Sequence, residues 1–247
     1  MPELPEVETI VRDLRPLLVG RTIRSATLSH EDILDGVSPR TLLRQLPGRT
    51  VTAVTRRAKH ALIHTDTRIL AVQPGMTGSL IYYARRPTAA QSRYAVLQCR
   101  LDHGATLVYR DVRRIGTLRW LDARAWDEYQ ARLGPEPLDP DLTASRFADR
   151  LGRSASPIKK VLMDQRFIVG IGNIYANEAL FAAGIDPSRP ARTVPGEQLQ
   201  RLHGEVRRIL RAAIASEGTS FRDYVTGTGQ PGNFQLAIVA YSREGQP

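Results

Sequence analysis

The sequence predicts an α+β protein: an N-terminal helix on an antiparallel β-sandwich, followed by a separate helical domain. Three observations carry this. Val7, Ile10, Val11, Leu14 and Leu18 recur at i, i+3/i+4 spacing and make one apolar helical stripe. From about Thr22 to Leu121, short runs rich in Val, Ile, Thr and Tyr alternate with turn residues, as the strands of a sandwich or barrel do. At "LGPEPLDP", Leu133 to Pro140, three prolines and a glycine interrupt the chain, and helical patterns follow. The expected division is a domain over 1–132, a linker over 133–140 and a second domain over 141–247.

In order, Pro5 suits the first turn of the opening helix, and Pro16 with Gly20 marks its exit. The strand runs are "RTIRSATLSH", "RTVTAVTRRAKHALIHT", "RILAVQPG", "GSLIYYAR", "YAVLQCRL", "ATLVYRDV" and "GTLRWL". The second run alternates and places Lys59 in a strand, with His60 and His64 on one face. Two histidines without further ligands read as structural. After the linker, "SPIKKVLMDQ" has Ser156 as N-cap and Pro157 as first helical residue. "GNIYANEALFAAG" is a compact helix closed by Gly184. A last helix puts Leu199, Leu202, Val206, Ile209, Ala213 and Ile214 on one face and ends at Gly218.

The 247 residues are 42% hydrophobic, enough for a sizeable core, and the formal net charge is +10. Such a basic chain suggests a polyanionic partner, and its excess of Arg over Lys favours planar contacts to phosphate. Cys99 is the only cysteine, which excludes an intramolecular disulfide and a four-cysteine zinc site. No run approaches the ~18 apolar residues of a membrane span. No basic-then-apolar N-terminal segment marks a signal peptide, so an intracellular protein is expected.

The opening "MPELPEVETI" carries the chemistry. Taken alone it is an ordinary helix start, with Glu3 and Glu6 complementing the dipole. If Met1 is removed, however, Pro2 presents a free secondary amine that can form an iminium with an aldehyde-like carbon. An α-amino group titrates near roughly 7.7–8.0, so a useful neutral fraction exists at physiological pH. Glu3, one residue away, can move protons.

"MPELPEVET" is also the opening of the formamidopyrimidine-DNA glycosylase family, and the sequence resembles that family along its whole length. "RRAKHALI" is similar to the strand bearing its catalytic lysine, at Lys59. "GMTGSL" resembles its methionine loop, at Met76, and "DVRRIG" its arginine turn, with Arg113 contacting DNA. "LGPEPL" matches its interdomain segment. "VGIGNIYANEALF" resembles its helix-two-turn-helix signature, with phosphate-binding Asn173 and the signature Glu178. Because "VGIGN" leads into a helix, backbone N–H groups near Asn173 are expected to face a phosphate.

The resemblance implies a bifunctional glycosylase and lyase that excises oxidised purines from duplex DNA. Pro2 attacks C1′, Glu3 and Lys59 assist, and Glu6 and Glu178 support the site. The lesion base is flipped from the stack and read partly by "GTSFRDYVTGTGQPG". Met76, Arg113 and Ile115 fill the gap; isoleucine stands where the family has phenylalanine, and remains an apolar wedge. The expected partner is damaged double-stranded DNA, bound by a monomer, with no membrane contact.

This sequence departs from the family at several points. Gln73 and Pro74 replace a His-Leu pair. Ser92 falls where a DNA-contacting histidine is common, and Ser154 where a basic contact is common, with Arg153 beside it. These losses would weaken phosphate binding. The family continues into a four-cysteine zinc hairpin where this chain stops. No cofactor is therefore expected in this chain, and one zinc in a full-length protein with the finger. The departures keep two alternatives open: a glycosylase for oxidised pyrimidines, and a non-catalytic DNA-damage binding paralogue.

Overall fold

A computed structural model describes residues 1–220 and 224–243. Residues 221–223, within the expected base-reading loop, lie outside the described residues. Helix α1 (Leu4–Leu18) starts from Glu3 in extended backbone, with Pro5 in its first turn. It runs through Pro16 rather than ending there. Leu18 is fully buried and carries the apolar stripe onward, and Gly20, at φ 82°, turns the chain.

Among the described residues eight strands follow: β1 (Ile23–Leu28), β2 (Val51–Arg57), β3 (His60–Thr65), β4 (Ile69–Gln73), β5 (Gly78–Tyr83), β6 (Ala95–Leu101), β7 (Thr106–Asp111) and β8 (Thr117–Leu121). They form two antiparallel sheets, ordered β1-β6-β7-β5 and β2-β3-β4-β8. The sheets and α1 enclose one core that includes Ile10, Leu14, Ile63, Leu97, Tyr109 and Trp120. Three helices add to those expected: α2 (Pro39–Gln45), α3 (Ala123–Gln130) and α4 (Ala144–Leu151), N-capped by Ser38, Asp122 and Thr143 respectively. Trp126 of α3 covers the outer face of β3 and β4, which explains why those strands are apolar on both sides.

One strand assignment is corrected. Lys59 lies not in a strand but in a two-residue turn, Ala58–Lys59, between β2 and β3, across which Arg57 pairs with His60. Ala58 takes the left-handed conformation (φ 54°) that such turns favour, though it is neither Gly nor Asn.

The helical domain holds α4, α5 (Ile158–Met163), α6 (Asn173–Ala183) and α7 (Gly196–Ala215) around a core that includes Phe147, Leu162, Tyr175, Leu202 and Leu210. The cap of α5 is Pro157, not Ser156, and Ile158 is its first residue. Pro157 stays extended because it bridges to Pro190. Gly184 closes α6 in the left-handed region, at φ 67°.

Leu4 of α1 is buried in the helical domain's core, a burial that contributes about 2 kcal/mol. Its N–H donates to the Gly170 carbonyl at 2.9 Å. A Cβ on Gly170 would fall 2.7 Å from Leu4, so this approach requires glycine. The start of α1 is thereby fixed between the domains. The 133–140 segment carries no helix or strand and is held from both sides. Arg57 donates to Gly134 O and Glu136 from one side, and Arg207 to Pro137 O and Asp139 O from the other.

Candidate active site

Three chain segments converge at the domain boundary: the N-terminus, the β2–β3 turn and the start of α6. Pro2 is buried, and Glu3 is only 3% exposed. The two Glu3 carboxylate oxygens accept the N–H groups of Gly172 and Ile174. The expectation that backbone N–H groups near Asn173 face a phosphate is therefore corrected for two of them: the Gly172 and Ile174 amides are taken by this protein's own Glu3 carboxyl. Lys59, 5% exposed, meets the same point. A Cβ at Gly172 would lie 2.6 Å from Glu3 Cδ and 2.7 Å from Lys59 Nζ. Only glycine leaves room for both.

Burial dominates the electrostatics. It pushes the Glu3 carboxyl up to about 7, with Glu6 adding to the rise and Lys59 and the two amides opposing it. Burial likewise lowers the Lys59 ammonium, while Glu3 and Glu6 work to keep it charged. Glu3 thus sits where it can give or take a proton near neutral pH. Glu6 is raised by burial too. Its Oε2 accepts the Glu3 N–H at 2.8 Å; its Oε1 accepts the Tyr175 hydroxyl at 2.5 Å and the Thr219 N–H at 2.8 Å. One carboxylate therefore ties α1 to α6 and to the loop after α7.

Two cavities flank this cluster. One, of about 440 Å³, is lined by Glu3, Lys59, Gln73 and Asn173 among others. The other, of about 580 Å³, is lined by Pro2, Glu6, Arg113, Thr219 and Tyr224 among others. Met1, Met76, Ile174 and Tyr241 border both. At the rim stand the wedge candidates, with Met76 42% and Ile115 50% exposed; Arg113 Nη1 approaches Met76 Sδ at 3.8 Å.

The remaining expected site residues fall elsewhere. Glu178 is buried one turn along α6 and accepts the N–H groups of Val239, Ala240 and Tyr241, so it holds the segment that brings Tyr241 to both cavities. Ser92 lies in a surface turn, its N–H bonded to Thr88 O, and lines neither cavity. Arg153 lines a separate cleft on the helical domain with Arg146, Arg150 and Arg166. Sequence reasoning gave no site role to Gly172 or Tyr175, and reached Thr219 only as part of the expected base-reading loop. Gly172 and Tyr175 stand inside the "VGIGNIYANEALF" motif, whose glycine and aromatic positions were the available signal.

His60 and His64 are each held by a hydroxyl partner, and His60 also lines the 440 Å³ cavity. His60 bonds Tyr129, is pushed down to about 4 by burial, and His64 bonds Thr55. Among the described residues no group of three or more His, Cys, Asp and Glu could hold a metal ion, and burial pushes the Cys99 thiol up to about 12.

Comparison with known proteins agrees with this geometry. Residues 1–118 match the model of the formamidopyrimidine-DNA glycosylase N-terminal domain, and residues 133–225 that of its H2TH domain. The chain is 43% identical to the formamidopyrimidine-DNA glycosylase of Moorella thermoacetica and 44% to that of Stutzerimonas stutzeri, in each case over 100% of this chain and 90% of the relative. Among solved structures, the MutM (Fpg) protein of Thermus thermophilus superposes with a TM-score of 0.85 at 36% identity, covering 100% of this chain and 89% of that one. The Lactococcus lactis Fpg in complex with abasic-site DNA superposes with a TM-score of 0.87 at 28% identity, over 96% and 86% of the two chains. With its helix on a β-sandwich, its helical H2TH domain and its N-terminal cluster, this chain belongs to the formamidopyrimidine-DNA glycosylase family.

Proposed function

We propose that this protein is a bifunctional DNA glycosylase and abasic-site lyase that removes oxidised purines, 8-oxoguanine and formamidopyrimidines, from duplex DNA. The observation that carries the reading is the buried Glu3 carboxyl, about 7 in pKa, beside Pro2 and against Lys59 at the start of α6. A DNA-binding protein without chemistry has no need of a buried carboxyl and ammonium at its own N-terminus, since both cost stability. The relatives' names and the abasic-site DNA held by the Lactococcus structure agree with it.

Removal of Met1 frees the Pro2 nitrogen and opens space that both cavities share. The Pro2 amine attacks C1′ of the lesion nucleotide and gives up its proton; the C1′–base bond breaks, and the base leaves with that electron pair and takes up a proton. Glu3 delivers a proton to O4′ as the sugar ring opens to an iminium on Pro2. β-Elimination and then δ-elimination release the strand ends, after which water frees the enzyme. Lys59 offsets the negative charge of the lesion phosphates. The 580 Å³ cavity receives the flipped base against Thr219 and Tyr224. Met76, Arg113 and Ile115 fill the vacated stack. Asn173 and Arg153 take backbone phosphates. Ser92 provides at most a neutral contact where the family has a histidine, so phosphate neutralisation here rests on Lys59 and the arginines.

Borohydride reduction in the presence of an 8-oxoguanine duplex tests the reading. The Met1-free protein is expected to give a covalent protein–DNA band. No band above that of an undamaged duplex would reject it.

A further inference from the structure

The two wedge-bearing loops, 74–78 and 111–116, belong to different parts of the chain, yet one buried carboxylate organises both. Asp111, 1% exposed, accepts the Thr77 hydroxyl at 2.5 Å on Oδ1, and on Oδ2 the Gly116 N–H at 2.9 Å and the Tyr109 hydroxyl at 3.2 Å. The Thr77 oxygen in turn accepts the Arg113 N–H at 2.9 Å. Thr77 follows Met76 directly, so this hydroxyl links the methionine loop both to the buried anchor and to the arginine. The loops also touch through backbone: a Cβ on Gly75 would meet Gly116 N at 2.6 Å, and one on Gly116 would meet the Tyr109 hydroxyl at 2.1 Å.

We propose that Thr77 is a positioning residue for the wedge: seated on Asp111, its hydroxyl holds the two loops in one register, so that Met76, Arg113 and Ile115 enter the duplex together. This rests on the wedge role given to those residues above. The side chain must donate to Asp111 and accept from Arg113 at once, which a hydroxyl does and a methyl group of the same shape does not. Without it the Arg113 N–H loses its partner and the buried carboxylate loses a charge-assisted bond. The Met76 loop is then free to shift relative to Arg113.

The test compares Thr77→Val with Thr77→Ser in the Met1-free full chain. A duplex with 2-aminopurine beside 8-oxoguanine reports unstacking. Cleavage of an abasic site in single-stranded DNA, which needs no wedge, reports intact chemistry and folding. Thr77→Val is expected to slow unstacking and duplex excision about 10- to 100-fold, the scale of one lost hydrogen bond to a charged group. Single-strand cleavage is expected to stay within about twofold, and Thr77→Ser to restore both duplex steps to within about threefold. Wild-type unstacking in Thr77→Val, or an equal loss on single-stranded DNA, would overturn the proposal. Met76→Ala is the control. If it slows unstacking while Thr77→Val does not, only the role of Thr77 falls; if it too leaves unstacking unchanged, the wedge reading itself falls.

Discussion

Replacing Glu3 with glutamine should change how stability depends on pH. Glu3 is raised from its ordinary value near 4.5 to about 7 by burial, so the folded state holds a proton the unfolded state has already lost. Its contribution to stability is therefore complete below about 4.5 and is lost as pH rises through about 7. A rise of that size corresponds to about 3 kcal/mol at completion, most of it lost between pH 5 and 8.5.

Glu3→Gln removes this slope. It also adds a constant offset, because a glutamine amide can accept only one of the Gly172 and Ile174 N–H groups. The slope, not the offset, carries the information. The measurement is urea unfolding at several pH values on protein bearing an N-terminal extension, in which the Pro2 nitrogen is an uncharged amide as in the form with Met1. Stability of the variant relative to wild type should increase by about 2–3 kcal/mol from pH 5 to 8.5, or roughly 4–12 °C in Tm. Parallel curves across that range would refute the argument that burial leaves Glu3 protonated near neutrality.

Three further outcomes follow from the same contacts. Gly172→Ala should leave the fold intact but displace Glu3 or Lys59 by the overlap at 2.6–2.7 Å, lowering kcat by about 100-fold in single-turnover excision with little change in DNA affinity. Tyr175→Phe removes a donor from buried Glu6 and should destabilise the protein by about 1.5–3 kcal/mol at neutral pH, read by urea unfolding. Ile115→Phe places an aromatic ring at a half-exposed wedge position and should tighten binding to an abasic-analogue duplex by about 1–3 kcal/mol, read by titration at fixed salt.

Much of the fold was legible because its signals are local. Every strand falls in one of the short apolar-rich runs bounded by turn residues, and α1 and α7 show their buried stripes directly. The Ala58–Lys59 turn was not legible. It contains no Gly, Pro, Asn or Asp, so "RTVTAVTRRAKHALIHT" gives one uninterrupted pattern where the chain reverses. Helices α2, α3 and α4 are short, marked in the sequence chiefly by their caps Ser38, Asp122 and Thr143 and by Pro39 at the start of α2.

The site residues were named through resemblance, but their relations were not readable. Glu3 and Gly172 are 169 positions apart, and Glu6 and Thr219 are 213 apart. No periodicity reports that a helix N-terminus is filled by the chain's own carboxylate instead of left for DNA. Nor does sequence spacing separate Arg153, in its own cleft, from Asn173 beside Lys59. Those facts arise from how Leu4 docks in the helical domain, which is a matter of tertiary packing.

The central claim is that the Pro2 nitrogen is the nucleophile. Its most direct test is mass-spectrometric mapping of the peptide cross-linked when the Met1-free protein is reduced with borohydride on an 8-oxoguanine duplex. The account expects the sugar remnant on the N-terminal nitrogen of a peptide beginning at Pro2, and none on protein that keeps Met1. A remnant on Lys59, or equal trapping with Met1 in place, would contradict it.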